Sequence, residues 1–178
     1  MSNIVDLICA DKFRVELLTV VSSLNLPDCY IAAGFVRNLV WDYLHGFQPT
    51  ALNDVDVIYF SKSVIDEDAA LTVLNSACPR VKWQLKNQAL MHERNLDPPY
   101  ESSVHAMAYW PELETAVGAK LDDNGEVIVA SPFNIGAIFN GFITHNIKRN
   151  ESVFLQRVTE KKWLENWPML RIKLSNNG

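Results

Sequence analysis

From Asp11 to Leu24 the apolar positions Phe13, Leu17, Leu18, Val21 and Leu24 recur three and four residues apart, which predicts an amphipathic opening helix ended by Leu26-Pro27-Asp28. Cys29-Tyr30-Ile31-Ala32-Ala33 is a short apolar run stopped by Gly34, the pattern of a buried strand, and Phe35–Leu44 returns to helical spacing before Gly46 and Pro49 close it. Asp54–Phe60 is β-rich, and Asp66-Glu67-Asp68 places acids in the first turn of a helix running to Ala77. Val81–Leu85 is a third strand candidate, His92–Tyr100 with its two prolines reads as loop, and Ser102-Ser103 can cap a brief helix ending at Trp110-Pro111. Thr115–Leu121 and Glu126–Ala130 flank an Asn-Gly turn and predict a hairpin. Ser131-Pro132 precedes a short helix over Asn134–Phe139. A tail helix over Phe154–Trp167 should turn Leu155, Val158, Trp163 and Leu164 inward. No repeat, low-complexity stretch or Gly/Ser linker divides residues 1–178, so one α/β or α+β domain is expected.

Composition narrows the function classes. Of the 178 residues 48% are hydrophobic and 21% charged, enough apolar material for a core of normal size. The 16 Lys+Arg against 21 Asp+Glu leave a net charge of −5, which argues against strong binding of duplex nucleic acid. Cys9, Cys29 and Cys78 are scattered, with no CxxC and no neighbouring His to suggest zinc, and read as buried thiols in a reducing compartment. Asp6, Asp11, Lys12 and Arg14 interrupt the start, and no apolar run reaches membrane-span length; a soluble cytoplasmic protein is the expectation.

One constellation carries chemistry: strand, Ala33-Gly34-Phe35-Val36-Arg37-Asn38, helix, then Asn53-Asp54-Val55-Asp56 on a strand. Gly34 has no Cβ and lets the backbone approach a ligand. The unpaired N–H groups of the helix it opens suit a phosphate, and Arg37, one turn in, can add a bidentate contact. Asp54 and Asp56, two apart on a strand, project from one face with Cα atoms roughly 6–7 Å apart and can share a divalent ion. Mg²⁺ (or Mn²⁺) suits two carboxylates completed by substrate phosphates. Singly, an Asp-x-Asp or a Gly-x-x-Arg is more often incidental; in βαβ order across one helix the pair points to a site. Lys86, Asn87 and Gln88 follow an apolar strand, at the edge where such sheets present ligands. Lys86 is a candidate phosphate contact and Asn87 a candidate base or ribose contact, against the equal alternative that both merely end the strand. The tryptophans, by their apolar spacing, suggest packing ahead of base stacking, and His92 a structural residue ahead of a general base.

The Ala-Gly-x-x-Arg-Asn turn followed by Asn-Asp-x-Asp-Val resembles the nucleotidyltransferase superfamily of DNA polymerase β and the tRNA CCA-adding enzymes. The chain is more closely similar to small bacterial nucleotidyltransferase-family proteins formerly classed as a domain of unknown function. The similarity continues through Trp41–Gly46, Lys86–Ala89, Asp97–Tyr100, Trp110-Pro111-Glu112, Thr115–Gly118, Pro132-Phe133 and Arg157-Val158 to Trp167-Pro168, spanning about residues 20–172. It implies an α+β polymerase β-like fold, a mixed sheet with packed helices and a C-terminal helix. The implied activity is metal-dependent transfer of a nucleoside monophosphate from an NTP such as ATP to an acceptor hydroxyl that remains open. Gly34, Arg37 and Asn38 would then lie at the triphosphate, and Asp54 and Asp56 would hold Mg²⁺.

Two departures bear on turnover. Ala33 replaces the first of two glycines usual in this turn, and the run Val81–Asn87 carries no acid where the superfamily supplies a third carboxylate. Glu93 and Glu112 are the candidates for a displaced acid, and Gln84 shares its strand parity with Lys82 and Lys86. Three classes stand: an active transferase, a nucleotide- or metal-binding protein of slow or no turnover, and a partner-binding scaffold.

Overall fold

A computed structural model describes residues 3–52 and 54–175; Asn53, the first residue of the Asn-Asp-x-Asp motif, lies outside the described residues. The chain begins with helix α1 (Ile4–Ala10), then α2 (Lys12–Ser22). The sequence pattern placed a helix over Asp11–Leu24 and none before it. Each of α1 and α2 has its own cap: Asn3 accepts from the Asp6 N–H at 2.9 Å at the start of α1, and Asp11, between the two, accepts from the Phe13 and Arg14 N–H groups.

Next come β1 (Tyr30–Ala32), α3 (Gly34–His45, closed by Gly46 in the left-handed conformation), β2 (Asp54–Tyr59) and α4 (Glu67–Ala77, capped by Asp66). Strand β3 runs Lys82–Asn87, two residues past its apolar run, and a 3₁₀ turn (Gln88–Leu90) leads into α5 (Met91–Asn95), where loop was expected. Helix α6 (Ser103–Met107) is capped by Ser102 as expected. A 3₁₀ turn at Leu113–Thr115 shortens the predicted hairpin to β4 (Gly118–Leu121) and β5 (Val127–Ala130). The helix expected over 134–139 is a 3₁₀ segment, Ile135–Asn140, capped by Asn134, not Ser131. Then follow β6 (Phe142–Thr144), α7 (Glu151–Glu160), α8 (Trp163–Asn166) and β7 (Arg171–Lys173).

The expected single tail helix breaks at Lys162, which takes φ 53°. The break places Phe154, Val158, Trp163 and Trp167 inside and leaves Leu155 and Leu164 exposed, correcting the expected inward face. Strands β6 and β7, unforeseen because each is only 3 residues long, pair in parallel.

The main sheet has the order β3-β2-β1-β4-β5, with β2 and β3 parallel and the other pairs antiparallel. Alternation along the strands decides its two faces. Val55, Val57 and Tyr59 of β2 and Trp83 and Leu85 of β3 enter the core against α1–α4. Asp54, Asp56 and Ile58, with Lys82, Gln84 and Lys86, occupy the opposite face, where Tyr30, Ala32, Ile58, Met107 and Ala116 form a smaller cluster. A third cluster, Trp41, Ile143, Phe154, Val158, Trp163, Trp167 and Leu170, joins α3 to the C-terminal segment. Three of the five tryptophans pack there, as their apolar spacing indicated. Asp42, 1% exposed, anchors the same junction by accepting from Trp167 Nε1 at 2.8 Å and from Thr50. Cys78 is buried and Cys29 half-buried, its thiol pushed up to about 12 by burial, whereas Cys9 is exposed, contrary to expectation. No helix among the described residues is long and apolar enough to cross a membrane.

Candidate active site

The turn between β1 and α3 is where backbone and charge converge. Ala33 takes φ 56°, ψ −118°, a combination that favours glycine, and its N–H donates to Val117 O at 2.9 Å. Gly34 is not the residue that needs this freedom: its φ lies outside the left-handed region and it opens α3 as an ordinary helical residue. Its missing Cβ matters spatially instead, since a Cβ there would sit 3.4 Å from Asn38 Nδ2 and 3.5 Å from Arg37 Nη2. No side chain caps α3, so its first-turn N–H groups face outward without a side-chain acceptor.

Arg37 is 7% exposed. Its Nη1 donates to Thr115 Oγ1 at 2.7 Å, and Nη2 and Nε donate to Asn38 Oδ1 at 2.9 and 3.2 Å. The guanidinium carbon lies 4.4 Å from the Trp163 ring centre and 4.9 Å from that of Trp41. Burial lowers its pKa to about 10, opposed by the charges of Glu112, Asp56 and Glu114, yet among the described residues no carboxylate pairs with it directly. A buried cation held only by neutral oxygens and ring faces is poised for an anion. Thr115 and Trp163, which sequence spacing alone did not mark, hold Arg37 in place; both lie more than 70 residues from it and surfaced only within the family-like stretches.

Strand register brings the acids to the same place. Asp56 lies opposite Ala32, one residue before the Ala33 turn, and Gln84 of β3 lies beside Asp56 on its other side. Lys86 Nζ donates to Gln84 Oε1 at 2.8 Å and to Asp56 Oδ1 at 3.4 Å, and Lys82 Nζ lies 3.5 Å from Asp54 Oδ1. The mutual repulsion of the two acids is therefore already offset by two lysines of the neighbouring strand.

Asn87 is turned to the other side of β3 and consumed: its Oδ1 accepts from the Ser61 and Ala89 N–H groups, and its Nδ2 donates to Ser61 O at 2.8 Å. It braces the strand end, away from Asp56. Glu112 is wholly buried and paired with Arg157 at 2.6 Å, so it is neither a surface acid nor an accessible base. Glu93 is exposed on α5, and His92 Nδ1 is hydrogen-bonded to Ala89 O. Among the described residues no group of three His, Cys, Asp or Glu is gathered for a metal. Two strand-neighbouring carboxylates, Asp54 and Asp56, are the residues that could hold one hard cation, with phosphate oxygens and water completing its shell; among the described residues no further carboxylate group is gathered for a second.

A nucleotidyltransferase family model matches residues 19–172. The chain belongs to the nucleotidyltransferase family. The structure is similar to an NMR structure that reveals a CCA-adding enzyme head domain, at 30% identity and a TM-score of 0.83 over 97% of this chain and 95% of that one. Two more distant structures share the fold: a tRNA-processing enzyme complex (16% identity, TM-score 0.54, 90% of this chain and 43% of that one) and a CCA-adding enzyme with CTP (13%, 0.54, 93% and 48%). The nucleotidyltransferase chain spans under half the length of these two. Comparison with curated proteins gives no match. The expected polymerase β-like fold and family membership are both borne out.

Proposed function

We propose that this nucleotidyltransferase binds an NTP across the α3 N-terminus and Arg37, and transfers its nucleoside monophosphate slowly to an acceptor hydroxyl. The observation that carries the reading is Arg37, a buried guanidinium without a carboxylate partner, one turn into an uncapped helix and within the field of Asp56. Gly34 leaves room for phosphate oxygens, Asn38 and Thr115 hold the Arg37 fork in plane, and Lys86 sits close enough to Asp56 to move onto a phosphate when one arrives. Mg²⁺ held by Asp54 and Asp56 would neutralise triphosphate charge and orient the reacting phosphoryl group. With Gln84 in the register position beside Asp56, no carboxylate there is free to take the proton of the attacking hydroxyl. General-base help is typically worth about 10²–10⁴-fold, so turnover is slow.

A second reading, nucleotide binding without turnover, is favoured by the lysines on both acids. One experiment separates them: incubation with each labelled NTP and Mg²⁺ or Mn²⁺, scored for pyrophosphate and labelled product, beside NTP-induced thermal stabilisation. Slow product formation abolished in Asp54→Asn/Asp56→Asn supports transfer. Stabilisation without product supports binding alone, and neither with any NTP overturns both.

A further inference from the structure

Behind the Leu113–Thr115 turn lies a cavity of about 270 Å³ that the nucleotide reading does not use. Its walls are mainly apolar, including Leu113, Val117, Phe133, Ile138 and Phe142, and one acid lines it: Glu114, 6% exposed. Glu114 accepts the Thr144 N–H and the Thr144 hydroxyl, both at 2.7 Å, and among the described residues no Lys, Arg or His forms an ion pair with it. An ionised carboxylate offers about four acceptor positions, so Thr144 leaves roughly half of them unused. Lys173, on the same cavity, holds its ammonium over the Phe142 ring at 5.8 Å instead of on Glu114. The space opens to solvent past Asn134, Asn140 and Lys173, so a ligand can enter it, and carboxylates as buried as Glu114 seldom lack a cation.

We propose that this cavity binds a small organic ammonium with a compact apolar body, the ammonium received by Glu114. An anion is repelled by Glu114, whereas Glu112 is already paired with Arg157, and a purely apolar guest offers the carboxylate no donor. The inference does not depend on nucleotide turnover, although Thr115, the next residue of the turn, holds Arg37.

The test uses the full chain and benzylammonium as probe, with benzyl alcohol and benzoate as matched comparators, followed by backbone amide shifts and melting temperature. Benzylammonium should perturb the amides of Leu113, Val117, Ile138 and Thr144 and raise the melting temperature. Benzyl alcohol should bind roughly tenfold or more weakly for want of one charge-assisted hydrogen bond, and benzoate should not bind. Glu114→Gln should bring benzylammonium down to the level of the alcohol. Ala137→Phe, which fills the cavity and keeps Glu114, should abolish binding of both, and it decides the matter where Glu114→Gln does not fold. Equal affinity for the ammonium and the alcohol, binding unchanged in Ala137→Phe, or no perturbation at millimolar probe overturns the proposal.

Discussion

Replacing Ala33 by glycine should stabilise the protein. At φ 56°, ψ −118° an alanine Cβ crowds its own backbone, and such a residue stores about 1–3 kcal/mol. Glycine relieves that strain. Against it stand the larger entropy of the unfolded chain, about 0.4–1 kcal/mol, and the loss of one buried methyl, up to about 0.8 kcal/mol for a residue only 8% exposed. Central values leave a gain of about 0.5–1 kcal/mol, or roughly 1–4 °C in melting temperature for a chain of this size. Urea denaturation read by tryptophan fluorescence, analysed at constant slope, measures it. Gly34→Ala is the paired control: its new Cβ meets side chains at 3.4–3.6 Å, ordinary contact, so it should fold as well as the parent while binding NTP less tightly. Ala33→Gly destabilising the chain by more than about 0.5 kcal/mol would refute the strain assignment.

Arg37→Met should weaken NTP binding roughly 10- to 100-fold while changing nucleoside binding little, measured by calorimetry, because the lost contacts are to phosphate oxygens. Lys86→Met should raise the affinity of the metal-free protein for Mg²⁺ or Mn²⁺ alone, seen by manganese paramagnetic relaxation, since the ammonium competing for Asp56 is gone; unchanged affinity would show that the ion pair is irrelevant to the site. Gln84→Asp restores a carboxylate beside Asp56 and should increase pyrophosphate release roughly tenfold or more; no gain would place the missing group elsewhere. Burial pushes the Asp97 carboxyl up, but hydrogen bonds from Arg149 and Tyr100 outweigh it and hold the pKa below its usual value. Its contribution is therefore present above the ordinary carboxylate range and lost as pH falls through the lowered value, so the stability gap between parent and Asp97→Asn should close in acid titrations.

Much of this site was legible from local patterns. A strand–turn–helix–strand order with Gly34, Arg37, Asp54 and Asp56 requires only short-range periodicity, and strand parity alone put both acids on one face. The same parity placed Lys82, Gln84 and Lys86 together. What they face depends on β2 and β3 pairing in parallel with Gln84 beside Asp56, a register set by long-range packing. Sequence marked Ala33 as standing where a glycine is usual, but only the closed chain shows that this residue, and not Gly34, carries the positive φ of the turn. Glu112 is an ordinary acid in sequence; only the packing of α7 near it supplies Arg157, which stays partly exposed while Glu112 is buried. Arg37 shows the division most clearly. Its position one turn into a helix, with Trp41 four residues on along the same face, is a property of the sequence, but its cover by Trp163 and its bond to Thr115 arise from segments more than 70 residues away. Residue type and spacing determine which groups can do chemistry; desolvation and the choice of partner, which set what those groups will bind, exist only once the chain has closed on itself.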